Sequence, residues 1–408
     1  MGTINPLGHT VADTWAAIKA GQSGIARITH FDPTSFGSQI AGEVKNYDLA
    51  AHFSAEHMKD AKKMDPFVHY AAAATNEAVR QANIASIIAT DPYKVGICIG
   101  SGIGGLQSQQ KNGAGLAARG PKGVSPMYVP AMLGDICVGF MSMIHGMKGP
   151  NLATQTACAT ANHALAVSYL MIKHGMIDVC VAGGTEAGVC EISVAGFSNM
   201  RALSTRNDDP TRASRPYDTA RDGFVIAEGA GVLVLEEYEH AVRRGAPILA
   251  ELVGIGMSGD AYDIVQPDPQ GRGALHSMKM ACADAGLKPT AINYINAHGT
   301  STPLGDIAES MAISQLVEGK VDNLNVGSTK SMHGHLLGAT AGIEAIITIC
   351  AMNENHVPAN INIDNFDERI PLPAEIINTK SVNKDIKYAL SNSFGFGGHN
   401  STVIFGKV

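Results

Sequence analysis

Cys158 stands in the run Asn151-Leu-Ala-Thr-Gln-Thr-Ala-Cys-Ala-Thr-Ala-Asn-His163, where an apolar stretch gives way to small and hydroxylated residues around one thiol. The helical pattern of residues 161–174 follows at once. A cysteine at a helix start faces unpaired backbone N–H groups and the positive end of the helix dipole, and both favour the thiolate. An ordinary free thiol is only about 3% ionised at pH 7, and lowering its pKa by one unit raises that to about a quarter. The expected chemistry is nucleophilic attack on an acyl group. The competing reading is a small buried hydrophobe, the commonest fate of a free cysteine.

Three further constellations carry reactive side chains. In Asn296-Ala-His-Gly-Thr-Ser-Thr-Pro-Leu-Gly-Asp306 a histidine, His298, directly follows an apolar strand pattern. Gly299 permits close backbone approach there, and the Thr300 and Thr302 hydroxyls could hold a polar ligand tail. In Ser328-Thr-Lys-Ser-Met-His-Gly-His-Leu-Leu-Gly-Ala339 a lysine and two histidines open another helix, where a neutral imidazole can polarise an anionic oxygen. The i,i+2 spacing of His333 and His335, with no further ligand nearby, argues against a metal pair. In Ser391-Asn-Ser-Phe-Gly-Phe-Gly-Gly-His-Asn400 the glycines suit a loop whose N–H groups face a developing oxyanion, and equally a plain tight turn. No lysine follows in phosphate-loop spacing.

Strands and helices must position these groups. Residues 94–100, 177–183, 230–236, 294–297 and 388–391 read as buried strands, because near-continuous apolar runs mean that both sheet faces are covered. Helical patterns occupy 66–83, 161–174, 272–286, 305–317 and 336–353. The alternation implies parallel or mixed sheets packed between helices, an α/β fold. A charged turn near 243–247 precedes a fresh strand at 248–255, which divides the chain into halves 1–245 and 246–408. The halves look analogous: each has a strand, a small-residue loop bearing reactive side chains, and an Ala/Gly-rich helix. Residues 204–222, rich in Arg, Asp and Pro, read as a surface excursion.

Composition narrows the functional class. The 408 residues suffice for two domain-sized halves, and 45 glycines with modest charge suit a tightly packed enzyme. No apolar run approaches the ~18 residues that span a bilayer, so no membrane association is expected. Seven scattered cysteines without zinc spacing point to a reducing cytoplasm. A net charge of −7 speaks against nucleic acid as partner.

Together, Thr156-Ala-Cys-Ala-Thr160, His298-Gly-Thr-Ser-Thr-Pro303, Lys330-Ser-Met-x-Gly-His335 and Asn392-Ser-Phe-Gly-Phe-Gly-Gly398 resemble the β-ketoacyl-acyl-carrier-protein synthases. The likeness covers nearly the whole chain, including Asp218-Thr-Ala-Arg-Asp-Gly-Phe-Val-Ile-Ala-Glu-Gly-Ala-Gly231. Two histidines point to an elongating synthase, and Gly183-Gly-Thr-Glu-Ala187 with Arg201-Ala-Leu-Ser-Thr-Arg206 resembles the synthase II type. The resemblance implies a thiolase-like five-layered αβαβα fold with two pseudo-duplicated halves, a homodimer, and decarboxylative condensation of malonyl-carrier with a Cys158-bound acyl chain. It assigns the oxyanion N–H groups to Cys158 and Phe396, and decarboxylation to His298 and His335. Lys330 tunes the second histidine, with Glu309 as its expected counter-ion and Asp306 behind the same loop. Thr300 and Thr302 match pantetheine contacts, Phe396 and Phe224 match gating aromatics, and Ile103 lines the acyl pocket. No organic cofactor is implied, but Asn296, Glu344, Ser391 and Asn392 match a structural monovalent cation site (Na or K). The acidic acyl carrier protein is expected to dock on basic residues among Lys59, Lys62, Lys63, Arg119, Lys122, Arg201 and Arg206.

The chain departs from the family pattern at His333 and His399, where threonine is usual. At the beginning, Gly2-Thr-Ile-Asn-Pro-Leu-Gly8 matches the loop after the family's first strand, so that strand is expected to be missing and the sequence to begin late. The rival functional readings are a polyketide-type ketosynthase and a non-catalytic partner subunit of a condensing dimer.

Overall fold

Short strands of small and β-branched residues build two five-stranded sheets in the computed structural model, which describes residues 1–319 and 322–408. Across the first sheet the strands run Gly2–Ile4, Gly229–Glu236, Val179–Glu186, Val95–Gly100 and Asn151–Leu152. Across the second they run Glu251–Gly259, His399–Gly406, Tyr388–Gly395, Tyr294–Asn296 and Asn325–Gly327. The chain visits both in the same order, and both pair antiparallel, antiparallel, parallel, parallel. The fold is therefore duplicated at the level of topology.

Five layers follow from what packs on what. Helices Pro66–Ala82 and Ile136–His145 cover the outer face of the first sheet, and Arg272–Asp284 with its neighbour Gly305–Val317 covers the second. Between the sheets lie Thr160–Lys173 and Thr340–Glu354, each touching both. The middle layer is apolar almost all round, as a doubly covered helix must be, and Ile343, Ile346, Ile347 and Met352 are buried there. Close approach depends on glycine: a Cβ on Gly342 would lie 2.3 Å from the Gly231 carbonyl oxygen. The observed architecture is the αβαβα fold expected from the sequence.

Two expectations fail here. Residues Gly2–Ile4 are not a loop; they form a short strand paired antiparallel with 230–232 at the edge of the first sheet. Three residues are too few to show a period, which is why the pattern hid it. Residues 204–222 are not simply a surface excursion, because Ser214, Arg215, Tyr217, Asp218 and Arg221 are buried. Their charges are neutralised internally: Arg215 pairs with Asp218 (3.0 Å) and Arg221 with Asp367 (2.7 Å) and Asp306 (3.3 Å). Buried charges persist only when so paired.

Candidate active site

Cys158 lies in a tight turn, Ala157–Ala159, between the strand Asn151–Leu152 and the helix Thr160–Lys173. Ala157 takes a left-handed φ of 49°, a strained conformation for a residue with a side chain. The surroundings hold it there. Thr160 Oγ1 donates to the Ala157 carbonyl (2.7 Å) and accepts from Thr156 N–H (2.9 Å), while Ser393 Oγ donates to the Cys158 carbonyl (2.7 Å). The second half contains the same device: Leu337, at φ 48°, opens the turn Leu337–Ala339 before the helix Thr340–Glu354.

His298 follows the strand Tyr294–Asn296, and Glu309 accepts its backbone N–H (2.8 Å) and that of Gly299 (2.7 Å). Glu309 also accepts from Asn392 Nδ2 (3.0 Å). Asp306 accepts from Ser301 N–H (3.1 Å) and thereby braces the loop bearing Thr300 and Thr302, whose hydroxyls are 3.0 Å apart. His335 is tied to the first half: its N–H donates to the Val225 carbonyl (2.7 Å), and its own carbonyl accepts from Ala227 N–H (2.9 Å).

These elements bring three reactive groups together. Cys158 Sγ and one ring nitrogen each of His298 and His335 lie within 4.8 Å of one another. His335 Nε2 is 3.0 Å from Sγ, and Nδ1 is 3.0 Å from Thr340 Oγ1. The thiol is protonated in this arrangement, because burial pushes it up to about 12, against the opposing pull of Lys330. Sγ–H therefore donates to Nε2, and Nδ1–H donates to Thr340. The expectation that the helix start alone favours thiolate is corrected: desolvation outweighs it, and the proton must leave through His335. Hydrogen bonding from the backbone N–H groups of Cys158 and Phe396 opposes the thiol's rise. Burial, reinforced by the Lys330 charge, holds His298 and His335 well below the ordinary imidazole range, so both rings are neutral. Nδ1 of His298 is buried without a partner.

Lys330 corrects a second expectation. Its ammonium pairs with Glu344 Oε1 at 2.7 Å, not with Glu309. Both partners are buried. Lys330 and Glu344 come from consecutive helical segments of one half, whereas Glu309 is occupied by three N–H donors.

A cavity of about 540 Å³ opens over this centre. Ile103, Phe224, Thr300, Thr302, Phe396 and Leu337 line it, along with Cys158 and both catalytic-candidate histidines. Phe224 stands edge-on to His335 with ring centroids 5.2 Å apart. Of the seven basic candidates for carrier docking, Arg201 lines the cavity, while Lys63 is engaged with Asp60 (2.7 Å). His333 is buried away from the centre: Nδ1–H donates to the Gly334 carbonyl (2.7 Å) and Nε2 accepts from Thr329 (3.0 Å). His399 opens the last strand beside His163, ring centroids 6.4 Å apart.

The four residues matched to a monovalent cation fit unevenly. Glu344 Oε2 and Ser391 Oγ are buried without partners, and Asn296 Oδ1 has only a long contact (3.5 Å) from Thr329. Those oxygens suit a hard cation. The Asn392 side chain is already committed, donating to Glu309 and accepting from Thr402 (2.9 Å).

Sequence reasoning missed Thr340, Ser393 and Glu186. Glu186 had a visible signal, since it is a lone carboxylate at the end of a wholly buried strand.

The sequence model described as "Beta-ketoacyl synthase, N-terminal domain" matches residues 1–241, and the corresponding C-terminal domain matches 249–364. The chain is 45% identical to the 3-oxoacyl-[acyl-carrier-protein] synthase 2 of Vibrio harveyi, over 100% of this chain and 97% of that protein. It is 44% identical to the protein of the same name from Synechocystis, over 100% and 96%. Among solved structures, a β-ketoacyl synthase from Burkholderia phymatum superposes with a TM-score of 0.90 at 32% identity, over 100% of this chain and 98% of that one. A type II polyketide ketosynthase, solved with its acyl-carrier protein, superposes with a TM-score of 0.89 at 29% identity, over 100% and 97%.

Proposed function

This chain belongs to the β-ketoacyl synthase family, and we propose from that premise that it elongates acyl chains by decarboxylative condensation with malonyl-carrier in type II fatty acid synthesis. The observation that carries the proposal is the convergence of Cys158 Sγ with nitrogens of His298 and His335 within 4.8 Å beneath one cavity. The higher identity to 3-oxoacyl-[acyl-carrier-protein] synthases than to polyketide ketosynthases (45% against 29%) favours fatty acyl substrates. Cys158 with its histidine partner speaks against a non-catalytic subunit.

In the first stage the Cys158 thiol gives its proton to His335 Nε2 as sulfur attacks the thioester carbonyl of an acyl-carrier. The N–H groups of Cys158 and Phe396 stabilise the tetrahedral oxyanion. Collapse breaks the old C–S bond, and the departing pantetheine thiol takes the proton. In the second stage Thr300 and Thr302 hold the arm of malonyl-carrier. With the sulfur acylated, His335 takes the tautomer in which Nε2 carries the proton and Thr340 Oγ1 donates to Nδ1. The neutral rings of His298 and His335 donate to the thioester carbonyl. Carbon dioxide leaves with cleavage of the C–C bond, and the electron pair remains as an enolate. Its carbon attacks the acyl-cysteine, the C–S bond breaks, and the expelled Cys158 thiolate takes up a proton from water. The product is two carbons longer. An assay with purified acyl- and malonyl-carriers tests this: the expected product is the β-ketoacyl-carrier, and carbon dioxide release without chain growth would refute it.

A second copy of the chain is the proposed partner at the open edge of the first sheet, where Asn151–Leu152 is exposed; Val129, Leu133 and Met143 of the same half are exposed apolar residues too. Light scattering should then give twice the 42.6 kDa chain mass; a monomer at micromolar concentration would refute it. Carrier protein is the proposed second partner, entering past Arg201. Seven unpaired cysteines suit a reducing cytoplasm, and no described helix is long and apolar enough to cross a membrane. A monovalent cation, if bound, would be held by Asn296, Glu344 and Ser391, where it would supply a positive charge to the otherwise unpartnered Glu344 and Ser391 oxygens. Potassium or sodium should raise the melting temperature relative to tetramethylammonium, and an identical value in all three would exclude the site.

A further inference from the structure

Glu186 ends the strand Val179–Glu186 and is 1% exposed. Its carboxylate is shared between two loops from opposite halves. Oε1 accepts from Ser101 Oγ (2.8 Å), and Oε2 accepts from Gly102 N–H (2.8 Å) and from Gly338 N–H (3.0 Å). The two loops touch at this point, because a Cβ on Gly338 would lie 2.3 Å from Gly102 N. Each loop bears a wall of the cavity immediately beside the tie: Ile103 follows Gly102, and Leu337 precedes Gly338. His335 lies three residues before Gly338.

The duplicated topology shows what the tie corresponds to. Gly100 pairs with Gly184 in the first sheet as Asn296 pairs with Ser391 in the second, so Glu186 occupies the place of Ser393. Gly338 likewise occupies the place of Cys158, each following a residue at φ near 48° and preceding a helix that starts with threonine. Ser393 holds the Cys158 carbonyl with a neutral hydroxyl. In the other half a carboxyl group does the corresponding work. Burial pushes it up to about 7, so above that pH it accepts as a charged group, and hydrogen bonds to a charged acceptor are roughly twice as strong as neutral ones.

We propose that Glu186 is a positioning residue that sets acyl-chain-length selectivity, by fixing the separation of Ile103 and Leu337 across the join between the halves. The proposal rests on the condensing function proposed above. Glutamine at 186 keeps the shape and one acceptor but removes the charge-assisted bonds, so the Ile103 loop can yield to a longer chain. Pocket contacts of one methylene change specificity by tens of fold, so partial loosening should be measurable.

The test compares the intact parent with Glu186→Gln, using eight-carbon and sixteen-carbon acyl-carriers with malonyl-carrier. The ratio of kcat/KM for the long over the short chain should rise at least about fivefold. The change should lie mainly in the acyl-carrier KM, with the KM for malonyl-carrier unchanged. Ser101→Ala keeps the carboxylate and removes one donor, so it should shift the ratio in the same direction by less; it decides the matter if the glutamine variant does not fold. An active parent whose ratio stays within about twofold in the variants, moves toward the shorter chain, or falls uniformly for both chains overturns this proposal alone. A parent that extends no acyl-carrier overturns the condensing function and this proposal with it.

Discussion

Cys158→Ala should abolish chain elongation, by at least about a thousandfold in kcat, while leaving the melting temperature close to that of the parent. Cys158 is the nucleophile of the three-residue cluster, whose other members, His298 and His335, accept the thiol proton or donate to the substrate carbonyl. The packing loss is small, since one buried sulfur is replaced by hydrogen in a turn held by Thr160 and Ser393 rather than by the side chain. The variant should still decarboxylate malonyl-carrier, because that step needs the two imidazoles and not the thiol. Loss of both activities in a folded variant would mean that Cys158 organises the site instead of carrying the chain.

Lys330→Met should have the second-largest effect, on stability and on pH response together. Removing the ammonium leaves the Glu344 carboxylate buried without its 2.7 Å partner. Breaking a buried pair from one side typically costs about 3–5 kcal/mol. Burial already pushes Glu344 up to about 7, so part of that cost will be met by protonation, and the loss should be smaller at mildly acidic pH than at pH 8. The sign follows: without its cation the carboxylate's folded pKa rises further above the unfolded value, so its neutral form is favoured at low pH and its stabilisation is lost as pH rises. Lys330→Met with Glu344→Gln should recover most of the loss in thermal unfolding. Catalysis should respond in the opposite pH direction. The Lys330 charge helps keep His298 and His335 neutral, so without it their pKa values move up and decarboxylation should fail at a higher pH on the acid side. An acid limb that does not move would show that burial alone keeps the rings neutral.

Much of this arrangement was legible in the residue pattern, because strands covered on both faces leave apolar runs and the reactive groups cluster just after them. The expected strand at 94–100 and helix at 66–83 correspond to Val95–Gly100 and Pro66–Ala82. The analogy between the halves was visible as well, although its depth was not: only the sheet order and the matching φ of Ala157 and Leu337 show that Gly338 stands where Cys158 does. What stayed hidden depended on long-range pairing. Nothing in spacing distinguishes Glu309 from Glu344 as the partner of Lys330; the choice is made by which carboxylate is already filled with N–H donors. Residues 204–222 looked solvated because their charges are numerous, yet Arg215 and Arg221 find aspartates up to about 150 positions away. The thiolate expectation at Cys158 erred for a related reason. The helix start is present, but the depth of burial that outweighs it is a property of the packed molecule.

The central claim is that Cys158 stores the acyl chain while its neighbours generate the carbanion that collects it. Peptide mass spectrometry after incubation with an acyl-carrier, with malonyl-carrier withheld, tests this most directly. The account predicts one acyl adduct per chain, on Cys158, that disappears when malonyl-carrier is added. An adduct on any other residue, or one on Cys158 that persists after malonyl-carrier is supplied, would contradict it.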